Sequence, residues 1–79
     1  MPRFFFHLHN AVNVHDDVGR ELPSLEAAQA EATLACRALM AEDVRTEGQI
    51  TLSHRIDIHG EDGQLKLALP FRACVEIRP

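Results

Sequence analysis

Three histidines stand near the start of the chain, His7, His9 and His15. Residues two apart in a strand share a face, so His7 and His9 project the same way. If the chain turns back after His9 through a three-residue loop of Asn10, Ala11 and Val12, His15 comes to lie across from His7. Three imidazoles within reach of one point form a donor set for zinc or nickel. The competing reading is a water-facing or interfacial histidine patch, because the pattern brings in no obligatory Cys or carboxylate.

Other reactive side chains lead nowhere sharper. Asp16, Asp17 and Glu21 form an acidic stretch without the Asp/Asn, Gly and Glu spacing of a calcium loop. Cys36 falls on the apolar stripe of a helix pattern, where a thiol is inert packing, and Cys74 lies beside Arg72. His54 occupies an apolar-face position between Leu52 and Ile56, which suits a packed, hydrogen-bonded imidazole. Ser24 and Ser53 lack a nucleophile elbow, and the four glycines build no phosphate cradle. The expectation is a protein that is not an enzyme, with no catalytic residues and no cofactor. Zinc or nickel on His7, His9 and His15 is the alternative.

The elements that must position these groups follow from periodicity. Phe4 to His9 alternates, with Phe4, Phe6 and Leu8 on one face and Phe5, His7 and His9 on the other. Val14 to Val18 reads as a short returning strand, with Leu8 opposite Val14 and Phe4 opposite Val18. Ser24 is a helix N-cap after Pro23, with Glu26 in the first turn, and Gly48 is the stop for a helix reaching about Thr46. Leu25, Ala28, Ala32, Ala35, Cys36, Leu39 and Met40 make its core stripe, and Leu34 sits alone on the opposite side.

Ile50 to Ile58 alternates as a strand, Gly60 to Gly63 turns, and Leu65 to Ile77 alternates with one parity to the end. Placing the isoleucines beside the leucines requires a loop with an even number of residues, and Pro70 marks an edge strand or a bulge. The fold class predicted is α+β: two layers, with a small, mostly antiparallel sheet in the order strand, strand, helix, strand, strand and one helix on one face.

Length bounds the rest. At 79 residues the chain is one domain, burying roughly 60–65% of its unfolded surface. Its 46% hydrophobic and 25% charged residues are those of a globular protein. A net charge of −4 disfavours nucleic acid as a partner. No apolar run is long enough to span a bilayer, and Met1-Pro2-Arg3 leads straight into a strand pattern, so the expected location is the cytoplasm, with both cysteines as thiols.

The opening PRFFFHL, the middle DDVGRELP with SLEAAQAEA, and the closing LPF at Leu69 to Phe71 resemble a family of short bacterial proteins known as a domain of unknown function. The likeness covers nearly the whole chain and implies a shared fold without an assigned activity. His9 and His15 depart from that family's pattern, which has other polar residues there. More remotely, a strand-rich start before an Ala- and Glu-rich helix is similar to antitoxin domains, which implies an antitoxin-like regulator as a further alternative.

One helix covers one side of a sheet, which leaves Phe5 on a side with no cover of its own. Residues 74–79 outrun their partner strand, and Val75 and Ile77 still alternate with Glu76 and Arg78. Together with Leu34, these residues point to an interface formed by Phe5, Leu34, Val75 and Ile77. A homodimer is then expected, in which the tail pairs with another subunit and the domain binds a protein partner.

Overall fold

The computed structural model describes residues 1–79. Strand β1 (Arg3–His9) is followed by two short strands, β2 (Asn13–Val14) and β3 (Arg20–Glu21). Helix α1 (Leu25–Glu47) precedes β4 (Arg55–His59), β5 (Leu65–Pro70) and a single 3-10 turn at Phe71–Ala73. The sheet is antiparallel in the order β2-β1-β4-β5, and β3 shares the outer edge of β1 with β2. The α+β class and the single helix are as the periodicity predicts.

Helix α1 begins and ends where its capping residues dictate. Ser24 is extended, and its side chain accepts the Ala27 N–H at 3.1 Å. At the other end Gly48, at φ 69°, donates its N–H to Val44 O. Left-handed backbone is cheap only for a residue without Cβ. The buried stripe is narrower than the seven residues anticipated: Ala28, Ala32, Cys36 and Met40 are buried, whereas Ala35 and Leu39 are not. Steps of four with small side chains bring the helix close to the sheet along one line, so residues to either side stand clear.

The even residues of β1 face this helix. Phe4 is in the core, and Phe6 and Leu8 pack against it. Ile56 and Ile58 of β4 and Leu69 of β5 complete the layer, with Phe71 and Cys74 beyond them. The first hairpin has the three-residue loop expected, with Leu8 opposite Val14 and His9 opposite Asn13.

Three details correct the sequence reading. The return strand does not run from Val14 to Val18: it breaks at His15, and pairing resumes with Phe4 opposite Arg20, not Val18. Val14 and Val18 are therefore exposed. The cause is Asp16, whose carboxylate gathers loop and strand amides and pulls the chain off the ladder.

The second hairpin has an odd loop, Glu61-Asp62-Gly63, closed by Gly63 N–H to Gly60 O and Gly60 N–H to Gln64 O, both 3.0 Å. A register shift between Ile58 and His59 absorbs the extra residue. The isoleucines accordingly still meet the leucines, Ile56 opposite Leu69 and Ile58 opposite Leu67.

The last strand stops at Pro70. With no N–H to donate there, the ladder ends, and the chain turns into the 3-10 segment. Phe71 N–H and Arg72 N–H go to His54 O (2.8 Å) and Leu52 O (3.3 Å), so β4 starts at Arg55 instead of Ile50. Cys74 is buried, Val75 is half-buried against the core, and Glu76 to Pro79 are exposed.

Candidate functional site

The face of the sheet away from α1 carries the odd residues of β1, Phe5, His7 and His9, opposite His59, Asp57 and Arg55 of β4. Two of these polar groups are buried, His7 at 7% exposure and Asp57 at 8%. Buried polar groups need partners, and each has them.

Asp16 anchors the His7 side. Its backbone N–H donates to His7 Nδ1 at 3.0 Å. Its carboxylate accepts the Phe6 N–H through Oδ2, and the Val18 and Gly19 N–H groups through Oδ1, each at 3.0 Å. Burial alone would raise the Asp16 carboxyl; the backbone donors of Gly19, Phe6 and Val18 outweigh it and hold the group below its usual range. Because His7 Nδ1 accepts a hydrogen bond, the ring is neutral and carries its proton on Nε2. Burial lowers the His7 pKa, and the neighbouring His15 and His59 lower it further.

The loop that Asp16 holds lies over this face. His15 is stacked on His7, with ring centroids 4.1 Å apart and planes 12° from parallel. His59 meets His7 edge-on at 4.6 Å. Gly19, at φ 70°, lies against Phe5 so closely that a Cβ there would come within 2.8 Å of both the Phe5 ring and the Phe4 carbonyl oxygen. Phe5 is consequently half-buried under a loop of its own chain, not left bare. An open groove of about 410 Å³ runs beside the stack, lined by Phe5, His7, His15, Asp17, His59 and Glu61 among others.

His9 belongs to a second group. Its Nε2 lies 3.0 Å from Asp57 Oδ2, and Arg55 Nε donates to Asp57 Oδ1 at 3.1 Å. His9 Nδ1 meets the Asn13 side chain at 3.1 Å.

Of the three sequence-predicted ligands, then, His7 and His15 come together, although the strand pairing ends at Val14, and His9 turns to Asp57. The third imidazole at the stack is His59, which sequence reasoning missed. It shares parity with Asp57 on β4, and the signal becomes readable once β4 is placed beside β1 and not only beside β5. No group of three His, Cys, Asp or Glu side chains is arranged to hold a metal ion. Of the residues expected at an interface, Leu34 and Ile77 are exposed, at 61% and 65%, while Phe5 and Val75 are half-buried. No helix is long and apolar enough to cross a membrane.

No curated protein and no solved structure matches the chain. A family model does, over residues 3–72, which takes in every element from β1 to the start of the 3-10 turn. The chain belongs to the family described as a domain of unknown function, DUF6894.

Proposed function

We propose that this domain is a non-enzymatic interaction module that self-associates and presents the histidine-lined face of its sheet to a protein partner. The observation that carries the reading is the free edge of the sheet. Strand β5 has β4 on one side and no strand on the other, and its Leu65 is 54% exposed. An edge strand offers a row of unpaired N–H and C=O groups that a second strand completes. Two residues of β5 resist such pairing: Lys66, by its charge and its place at the register shift, and Pro70, by its missing donor.

Two copies pairing β5 to β5 about a twofold axis make one continuous sheet with both helices on the same side. The imidazole face then extends across both copies. A net charge of −4 favours a protein over a nucleic acid as its partner. A zinc or nickel site on His7, His9 and His15 asks more of the molecule, since His9 would leave Asp57 and His15 would turn off the face of His7.

Light scattering on tag-free protein tests the assembly. A dimer at micromolar concentration that becomes a monomer in Leu65→Lys, with an unchanged circular dichroism spectrum, supports the edge. A monomeric native protein would remove the proposal. Metal analysis of the same sample decides the rival reading.

A further inference from the structure

The two cysteines are far apart in sequence and adjacent in the core. Cys36 stands mid-helix on the buried stripe of α1, and Cys74 follows the 3-10 turn; they are 0% and 1% exposed. Both are free thiols, and the Cys74 side chain lies against that of Cys36.

The backbone around them is fastened independently of sulfur. Arg37, next to Cys36, donates from Nε to Cys74 O at 2.7 Å. The Cys74 N–H closes the turn onto Phe71 O at 2.9 Å. Its thiol has only a long contact to Pro70 O, at 3.6 Å. Cys36 and Cys74 are therefore neighbours in one core cluster, held there by backbone contacts that do not involve sulfur, which is the starting arrangement for a disulfide. A bridge here would also close a long loop, the case in which cross-linking restrains the unfolded chain most.

We infer that Cys36 and Cys74 are a redox pair, which a small oxidised disulfide such as oxidised glutathione converts to an intrachain disulfide that staples the C-terminal turn to the helix. The order of attack follows from the fold. Exposing Cys74 means breaking the Arg37 and Phe71 contacts of a short terminal segment, whereas exposing Cys36 means opening the middle of the helix. Burial, with the adjoining Cys74, also pushes the Cys36 thiol up to about 12, which makes it a poor first nucleophile.

Cys74, deprotonated, attacks one sulfur of oxidised glutathione; that S–S bond breaks and one glutathione thiolate leaves. Cys36 then loses its proton and attacks the Cys74 sulfur of the mixed disulfide, releasing the second glutathione. Two protein thiols are oxidised, one glutathione disulfide is reduced to two thiols, and the two protons lost by the protein end on the two glutathiones.

The test is to equilibrate native protein in buffers of increasing oxidised to reduced glutathione ratio, quench with an alkylating agent in denaturant, and measure intact mass. Both thiols should disappear together, the mass should fall by two hydrogens with no glutathione retained, and a peptide map should join Cys36 to Cys74. The melting temperature should rise. Cys36→Ala should stop at a glutathione adduct on Cys74. If that variant does not fold, the mass and peptide map of the native protein decide the matter alone. Thiols that remain alkylatable at the most oxidising ratio, a persistent glutathione adduct on the native chain, or only interchain bridges would overturn the inference.

Discussion

The imidazole of His15 lies flat on that of His7, 4.1 Å between centroids, because Asp16 has drawn the loop across the sheet and donates its own N–H to His7 Nδ1. One residue thus ties a histidine through its backbone N–H, and a strand and a loop through its carboxylate, into a single unit. Several measurable consequences follow from that arrangement and from the C-terminal turn.

Acid should loosen the loop before it unfolds the sheet. The folded-state pKa of His7 is depressed below 6.5 by burial and by two neighbouring imidazoles, so the unfolded chain binds the extra proton more readily. Its contribution is therefore fully present above pH 6.5 and is lost as the pH falls through the window from there down to the folded value. Urea denaturation from pH 8 to pH 5 should show this loss, and His7→Phe should flatten it. An unchanged slope in that variant would assign the acid sensitivity elsewhere.

Asp16→Ala should cost about 2–4 kcal/mol, since a charged acceptor of several amides is removed and partly buried N–H groups lose their partner. The native Asp16 carboxyl lies below 3.8, so its stabilisation holds above that pH and disappears as the pH falls through the folded value. The same substitution should also release His15 from His7, seen as a shift of the His15 ring protons in NMR. A loss of stability under about 0.5 kcal/mol would contradict the role given to Asp16.

Two glycines with the same backbone should respond differently to alanine. Gly48 has φ 69° and open space around it, so Gly48→Ala should cost only the left-handed penalty of about 1–2 kcal/mol. Gly19 has φ 70° and would place its Cβ 2.8 Å from the Phe4 oxygen and the Phe5 ring. Gly19→Ala should therefore be clearly the worse of the two in thermal melts. Equal effects would mean that the loop does not rest on Phe5 as described.

The boundary between anchored turn and free tail can be measured directly. Phe71 is among the largest fully buried side chains, and Phe71→Ala should cost about 3–5 kcal/mol, a loss comparable to the whole stability of a small domain. Ile77→Ser, at an exposed position, should stay within about 0.5 kcal/mol in a monomer. A large effect at Ile77 would place the tail in an interface.

Much of the local structure is written in neighbouring residues. Ser24 and Gly48 set the limits of the helix, Asn10 to Val12 set the first hairpin, and the parity of Phe4, Phe6 and Leu8 sets the face turned to the core. Each depends on interactions within a few positions, through caps, turn geometry and a period of two or 3.6. The alternation of Val75 and Ile77 misled for the same reason. Periodicity records what a segment would do in a ladder, and it does not register that Pro70 ends the ladder while the core offers room for Phe71 and Cys74.

The candidate site was legible only in its local half. The sequence by itself determined a hairpin register that puts His15 across from His7 if the loop is Asn10 to Val12, and the structure keeps that register as far as Val14; the stack itself comes with the loop that Asp16 holds. Only the tertiary structure decided that β4 lies beside β1, which brings His59 to His7 and gives His9 to Asp57. It likewise decided that Asp16 folds the loop over Phe5 and that Cys36 finds Cys74. Strand adjacency and core contacts join residues distant along the chain, and the free energy that selects them comes from burying the whole layer at once, a quantity that no short stretch of sequence contains.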